Sequence, residues 1–320
     1  LEGGAACAAF GTGMAAISGV MLAFLNAGDH VIISDVAYGG TYRFSTQVLK
    51  RFGVELTFAD TANAESVRAA VRDNTRLILT ETPANPTMKT SDIAAISEVA
   101  RAAGIVHAVD NTFLTPYFQR PLELGADLSI HSTTKYMDGH NATVGGAVIS
   151  RTAELHEKVA FIQNSTGSIM APMTAWLTLQ GCKTLSLRMD RQSANAMAIA
   201  EFLEPHPKVA QVCYPGLESF DKHELAKRQA SGFGAMLWFE VKGGLEAGKR
   251  LMDNIELWTL AENLGSVESL ITHPVTMTHA AVEKAERERV GIIDGLVRLS
   301  VGLEDAEDLI AALEKALDQV

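Results

Sequence analysis

Short apolar runs rich in β-branched residues recur through the first half of the chain, at Val31–Ser34, Val54–Phe58, Leu77–Thr80, Val106–Val109 and Leu128–Ile130. Between them the apolar positions switch to helical spacing. Ser91–Ala103 shows the switch well: Ile93, Ile96, Val99, Ala100 and Ala103 share one helical face, Ser91 is placed to cap it, and Gly104 stops it. Strands alternating with helices in this way predict a mostly parallel sheet with helices on both faces, whose ligands bind beyond the carboxyl ends of the strands. Met14–Leu25 reads as a buried core helix, and the Ala- and Gly-rich run that opens the chain is helix-like. Further on, a helical stretch at Leu187–Leu203, strands near Gln211–Tyr214 and Ala235–Val241, and a final helix at Asp305–Leu317 predict a smaller α+β domain. The fold class expected is therefore α/β, with a large domain over residues 1–186 and a smaller C-terminal α+β domain over 187–320.

Composition narrows the functional classes. The formal charge of −11 without basic clusters argues against nucleic acid and anionic membrane surfaces. Met14–Leu25 is too short to cross a bilayer, and no targeting segment stands out. Cys7, Cys182 and Cys213 lack metal-type spacing and read as free thiols of a reducing cytosol, so a cytoplasmic protein is expected. The sequence opens at Leu1 without an initiating Met, and a trimmed chain is expected.

Candidate chemistry then concentrates behind the predicted strands. Lys135 stands in Ser129-Ile130-His131-Ser132-Thr133-Thr134-Lys135-Tyr136, with Ser132 and Thr134 placed to hold a phosphate while the amine forms an imine with a carbonyl cofactor. Taken alone, the lysine also reads as a surface residue after a Ser/Thr loop. Asp110 ends the strand Ile105–Val109, where a carboxylate pairs with a pyridinium or simply caps a turn. Gly11-Thr12-Gly13-Met14 opens the core helix, and freed backbone N–H groups there suit an anion; the spacing fits neither dinucleotide nor triphosphate loops. Tyr38, in Tyr38-Gly39-Gly40-Thr41-Tyr42-Arg43, is either a stacking and proton-exchanging ring or a packed loop tyrosine. Asn85, in Glu81-Thr82-Pro83-Ala84-Asn85-Pro86-Thr87, is a donor to a cofactor oxygen or part of a proline turn. Arg298 interrupts the apolar run Gly295–Ser300, which calls for a substrate carboxylate or a structural ion pair. His273 and His279 lack a third ligand at sensible spacing, so no metal is expected.

These segments, together with the late runs LGSVESL and LVRLSVGLED, resemble in order and interval the Cys/Met-metabolism (transsulfuration) family of fold-type I PLP-dependent enzymes, over nearly all of the chain. The resemblance implies pyridoxal 5'-phosphate (PLP) held as an imine on Lys135. It assigns the phosphate to the N–H groups of Gly13 and Met14 and the hydroxyls of Ser132 and Thr134. Tyr38 stacks on the ring, Asp110 pairs with its nitrogen, Asn85 contacts the cofactor oxygen and the substrate, and Arg298 grips the substrate carboxylate. In catalysis Lys135 moves the α-proton and Tyr38 assists the leaving group.

Within the family, Glu262 resembles cystathionine γ-lyases and bacterial γ-synthases, whereas Asn263 resembles sulfhydrylases. Gly40, where methionine γ-lyases usually carry cysteine, argues against that member. The expected activity is α,γ-elimination on cystathionine or a related sulfur amino acid. Cystathionine γ-synthase is the first alternative, followed by cystathionine β-lyase and homoserine-ester sulfhydrylase. An aminotransferase or an inactive relative without the arm is the alternative from another class. The resemblance also implies a homotetramer of dimers that share active sites. Family members carry an N-terminal arm ahead of this point, with a Tyr and an Arg reaching a neighbouring subunit's phosphate; without it, cofactor affinity is expected to fall.

Overall fold

The computed structural model describes residues 1–278, 280 and 283–320, so His279 lies outside the described residues. The chain divides into two compact units. One comprises Leu1–Asn85, Lys89–Lys183 and Arg228–Ser231, and the other Pro86–Met88, Thr184–Lys227 and Gly232–Val320.

In the first unit the elements run β1 (Ala6–Phe10), α1 (Gly13–Phe24), β2 (His30–Ser34), α2 (Gly39–Gln47), β3 (Glu55–Ala59), α3 (Ala64–Ala70) and β4 (Thr75–Glu81). They continue with α4 (Ile93–Ala103), β5 (Val106–Asp110), α5 (Thr115–Phe118), β6 (Leu128–His131), β7 (Gly146–Ser150), α6 (Ala153–Thr166) and α7 (Pro172–Lys183). The seven strands form one sheet in the order β1-β7-β6-β5-β4-β2-β3. Pairings among β2 to β6 are parallel, and β7 runs antiparallel to both β6 and β1. Burial on both faces explains the unbroken apolar strands. Val31, Ile33, Leu77 and Leu79 point into one core with Ile17, Val20 and Met21 of α1. Ile32 and Ile78, one residue out of phase, point into the other with Val67 of α3 and Ile96 and Val99 of α4.

The second unit contains α8 (Leu185–Leu203), β8 (Val209–Cys213), α9 (His223–Gln229, its last two residues in the first unit), β9 (Met236–Val241), α10 (Gly244–Asn254) and β10 (Thr259–Leu260). β11 (Leu270–Thr272), α11 (Lys284–Arg289), β12 (Leu296–Ser300) and α12 (Ala306–Leu317) follow. Its five strands order as β10-β11-β12-β9-β8, antiparallel except for β10 with β11.

The α/β reading with a mostly parallel sheet holds, and local details differ. The helix-like opening run is instead strand β1, because the backbone groups of Ala6–Phe10 pair along the whole of β7 and this tertiary pairing outweighs the helix preference of alanine. Asp92 rather than Ser91 caps α4, its carboxylate accepting from Ala95 N at 3.0 Å, while the Ser91 hydroxyl is buried against Thr61. Among the described residues no helix is long and apolar enough to cross a membrane, and no cluster of candidate metal ligands occurs.

Candidate active site

Strands β2, β4, β5 and β6 are neighbours in the first unit's sheet, and their carboxyl ends deliver most of the candidate residues to one edge. Tyr38 and Asn85 follow β2 and β4, Asp110 ends β5, and Ser132, Thr134 and Lys135 follow β6. Parallel pairing sets Glu81 beside Asp110, the two terminal residues of β4 and β5.

The Asp110 carboxylate accepts from the Thr112 N–H at 3.1 Å and the Thr112 hydroxyl at 2.5 Å. Thr112 Oγ1 in turn accepts from Ser132 N at 2.9 Å, tying the ends of β5 and β6 together. Desolvation raises the Asp110 pKa, against the opposing pull of the Thr112 bonds and of His131. Glu81 is pushed up to about 8 by desolvation and then by the negative charge of Asp110. A small pocket beside the pair is lined by Ile17, Ile33, Ala37, Thr41 and Leu79 together with both acids, and its lining includes no basic side chain. Two carboxyls crowded at the edge of an apolar pocket suit a ligand that presents one positive charge there.

The other end of the site suits an anion. Thr12 caps α1, its hydroxyl accepting from Ala15 N at 2.9 Å, and the first-turn N–H groups of the helix have no intrahelical acceptor. A Cβ on Gly13 would stand 2.7 Å from Ser132 Oγ, so only glycine lets the helix start come this close to that hydroxyl. Thr134 Oγ1 accepts from Gly145 N at 3.1 Å and donates to Gly145 O at 3.2 Å. An anion would therefore draw that hydroxyl's proton away from Gly145 O, while the Gly145 N–H bond remains. Tyr38, 46% exposed, meets Met14 around Gly40, where an added Cβ would lie 2.5 Å from the tyrosine ring and 2.6 Å from Met14 Sδ. Lys135 is half-buried in the turn after β6, its N–H donating to Ser132 O.

Arg298, Glu262 and Asn263 belong to the second unit. Arg298 on β12 is buried, and its Nη2 donates to Asn263 O at 2.8 Å and to Thr272 Oγ1 at 2.9 Å. Both acceptors are neutral. Glu262 is exposed in the segment between β10 and β11, and Asn263 is half-buried beside it.

Two features carry no role in the sequence reading. Glu81 accepts from Tyr38 N at 2.7 Å and from Asn85 N at 2.9 Å, one bond on each oxygen. An acid closing an apolar strand, adjacent to another acid closing the next strand, was the available signal. Behind Asp110, buried Glu2 accepts on one oxygen from His131 Nε2 at 2.5 Å, Ser129 Oγ at 2.8 Å and Asn111 Nδ2 at 3.0 Å. Burial pushes the Glu2 pKa up, but the bonds from His131, Asn111 and Ser129 outweigh it and hold the carboxyl low. Local sequence offers no signal for a contact between the second residue and position 131.

The description "Cys/Met metabolism PLP-dependent enzyme" matches residues 1–318. The chain is 50% identical to a cystathionine gamma-lyase of Bacillus subtilis over 320 residues, all of this chain and 84% of that protein. It is 48% identical to an L-methionine gamma-lyase of Fusobacterium nucleatum over 323 residues, covering 100% of this chain and 82% of that one. With a cystathionine beta-lyase of Lactococcus lactis it shares 47% identity over 319 residues, 100% of this chain and 83% of the relative. The helix start held close to Ser132 suits a phosphate and the paired acids at the ends of β4 and β5 suit a pyridinium, and with these likenesses the chain belongs to the Cys/Met-metabolism family of PLP-dependent enzymes.

Proposed function

We propose that the protein is a sulfur amino-acid lyase that cleaves the carbon–sulfur bond of cystathionine by α,γ-elimination. The observation that carries the reading is the sheet edge itself: a paired acid at the end of β5 and a lysine just beyond the end of the adjacent strand β6. Bound PLP supplies an electron sink for the charge that develops when a substrate α-proton leaves. In this reading Lys135 Nζ carries the cofactor and afterwards moves that proton. Asp110 keeps the ring nitrogen protonated, Asn85 donates to the ring oxygen, and Tyr38 stacks and protonates the departing sulfur. Gly13, Met14, Ser132 and Thr134 hold the phosphate, Arg298 the substrate carboxylate, and Glu262 and Asn263 discriminate the leaving group.

Elimination rather than replacement is favoured by the lyase names of the relatives above, and Gly40 with Glu262 favours cystathionine over methionine. We propose a cytoplasmic location and assembly as a homotetramer. Support for self-association comes from the exposed apolar side chains Phe161, Ile169, Met173, Trp176 and Leu179 around α6 and α7.

The test is a visible absorbance spectrum with added PLP before and after borohydride, beside Lys135→Ala, then product analysis with cystathionine. The expected result is a borohydride-sensitive band that Lys135→Ala lacks, with cysteine, ammonia and 2-oxobutyrate as products. Homocysteine with pyruvate would move the assignment to β-cleavage. Absence of a band from the parent chain would overturn the proposal.

A further inference from the structure

We propose that Glu81 is a positioning residue that couples cation pairing at Asp110 to placement of the Tyr38 and Asn85 backbones; this rests on the PLP reading above.

The geometry is that of a bridge. Glu81 closes β4, and its own N–H donates to Ser34 Oγ at the end of the neighbouring β2 at 3.2 Å. From there one carboxylate oxygen takes the Tyr38 N–H, at the mouth of α2, and the other takes the Asn85 N–H. Two segments carrying candidate cofactor contacts therefore hang from a single carboxyl group. The ionised form holds both donors more strongly, because a charged carboxylate accepts better than a neutral carboxyl and a proton takes up one of its lone pairs.

The same carboxyl lies beside Asp110, its register partner on β5. The titratable group bearing on this position is Asp110 from β5, while Tyr38 and Asn85 act on it through their backbone N–H groups. His131 on β6 bears on Asp110, and Glu2 holds His131. With no cation in place, two neighbouring negative charges in a desolvated corner are unfavourable, and Glu81 is driven to take up a proton. A pyridinium against Asp110 offsets that repulsion, the second cause of the shift after desolvation, and moves Glu81 toward the ionised form. Cofactor arrival at one acid then tightens the Tyr38 and Asn85 segments through the other.

The experiment compares full-length parent, Glu81→Gln and Glu81→Asp for PLP affinity between pH 6 and 9, and for the pH midpoint of the borohydride-sensitive absorbance band. Gln keeps the shape but removes the charge and one of the two acceptor oxygens, whereas Asp keeps the charge but is too short to reach both N–H groups. The parent is expected to show a pH step in PLP affinity, and Glu81→Gln to retain the band, lose about tenfold in PLP affinity and lose that step. Glu81→Asp is expected to lose affinity yet keep the step. Unchanged affinity and pH profile in Glu81→Gln would overturn the proposal, as would equal losses in both variants with the step intact. A parent chain that takes up no PLP would overturn the underlying reading as well, whereas a parent that loads normally isolates the failure to Glu81.

Discussion

Glu2 and Gly40 show how far single residues constrain this site. Glu2 concentrates three hydrogen bonds on one buried oxygen. Glu2→Gln preserves an acceptor and removes the charge opposite His131, so a loss of about 3 kcal/mol in unfolding free energy is expected by urea titration at neutral pH. Because the folded pKa of Glu2 lies below its ordinary value, its stabilisation is present above the unfolded pKa and disappears as pH falls through the folded one. The parent's advantage over Glu2→Gln should accordingly shrink on acidification. Gly40 is constrained from the opposite direction. An added methyl would run into the Tyr38 ring and the Met14 sulfur. Gly40→Ala is expected to lose about 1 to 3 kcal/mol in thermal or urea unfolding, and also PLP affinity, read by fluorescence titration. Glycine here was visible in the sequence as an oddity of type, but its reason, the side chains of Met14 on α1 and of Tyr38 just ahead of α2 converging on it, was not.

Secondary-structure elements were legible where burial wrote a periodic signal. Leu77–Thr80 and Val106–Val109 stand within the strands they predicted because both faces of β4 and β5 are covered, and the Ile93, Ile96, Val99 stripe of α4 marks a helix with one buried face. Strands β1 and β7 escaped notice because Ala, Gly and Ser dilute their apolar content and because β1 is held by β7, far from it in sequence. The start of α4 was misread by one residue for a related reason. Ser91 and Asp92 both qualify as caps locally, and the distant Thr61 draws the serine inward. The same helix start receives a second contact from afar: Gln229 Oε1 accepts from Ile93 N at 3.3 Å and Gln229 Nε2 donates to Ser91 O at 3.1 Å. Gln229→Ala should therefore speed hydrogen exchange at Ile93 and cost about 1 to 2 kcal/mol, measured by native-state exchange and denaturant titration. Of the candidate site, Asp110 and Lys135 were readable as strand-end residues, whereas Glu81 was hidden because its value lies in two backbone partners that no local pattern reveals.

For the molecule as a whole, the acidic corner predicts how stability follows pH and cofactor. The folded pKa of Glu81, about 8, exceeds the ordinary carboxylate value, so the protein without cofactor should lose stability from this group as pH rises from its unfolded pKa toward 8. PLP at a hundredfold excess over its dissociation constant at about pH 6 should add about 2.7 kcal/mol, and at that same PLP concentration the gain should grow across that pH range as Asp110 acquires its counter-charge. Scanning calorimetry of loaded and unloaded protein at several pH values checks both trends.

The partition of the chain also bears on its synthesis. The first unit includes Arg228–Ser231, whose Arg228 pairs with Asp92, whose Gln229 holds the start of α4, and whose Ala230 bridges to Gln119. A nascent chain leaving the ribosome has all seven strands of that sheet once Ser150 has emerged, yet it must wait for residues 151–231 to follow before this clasp arrives. Arrested chains in which Ser231 has not yet left the ribosome and those in which it has should differ sharply in protease resistance of the Asp92–Gln119 region, which would make this unit's maturation a late event of translation rather than an early one.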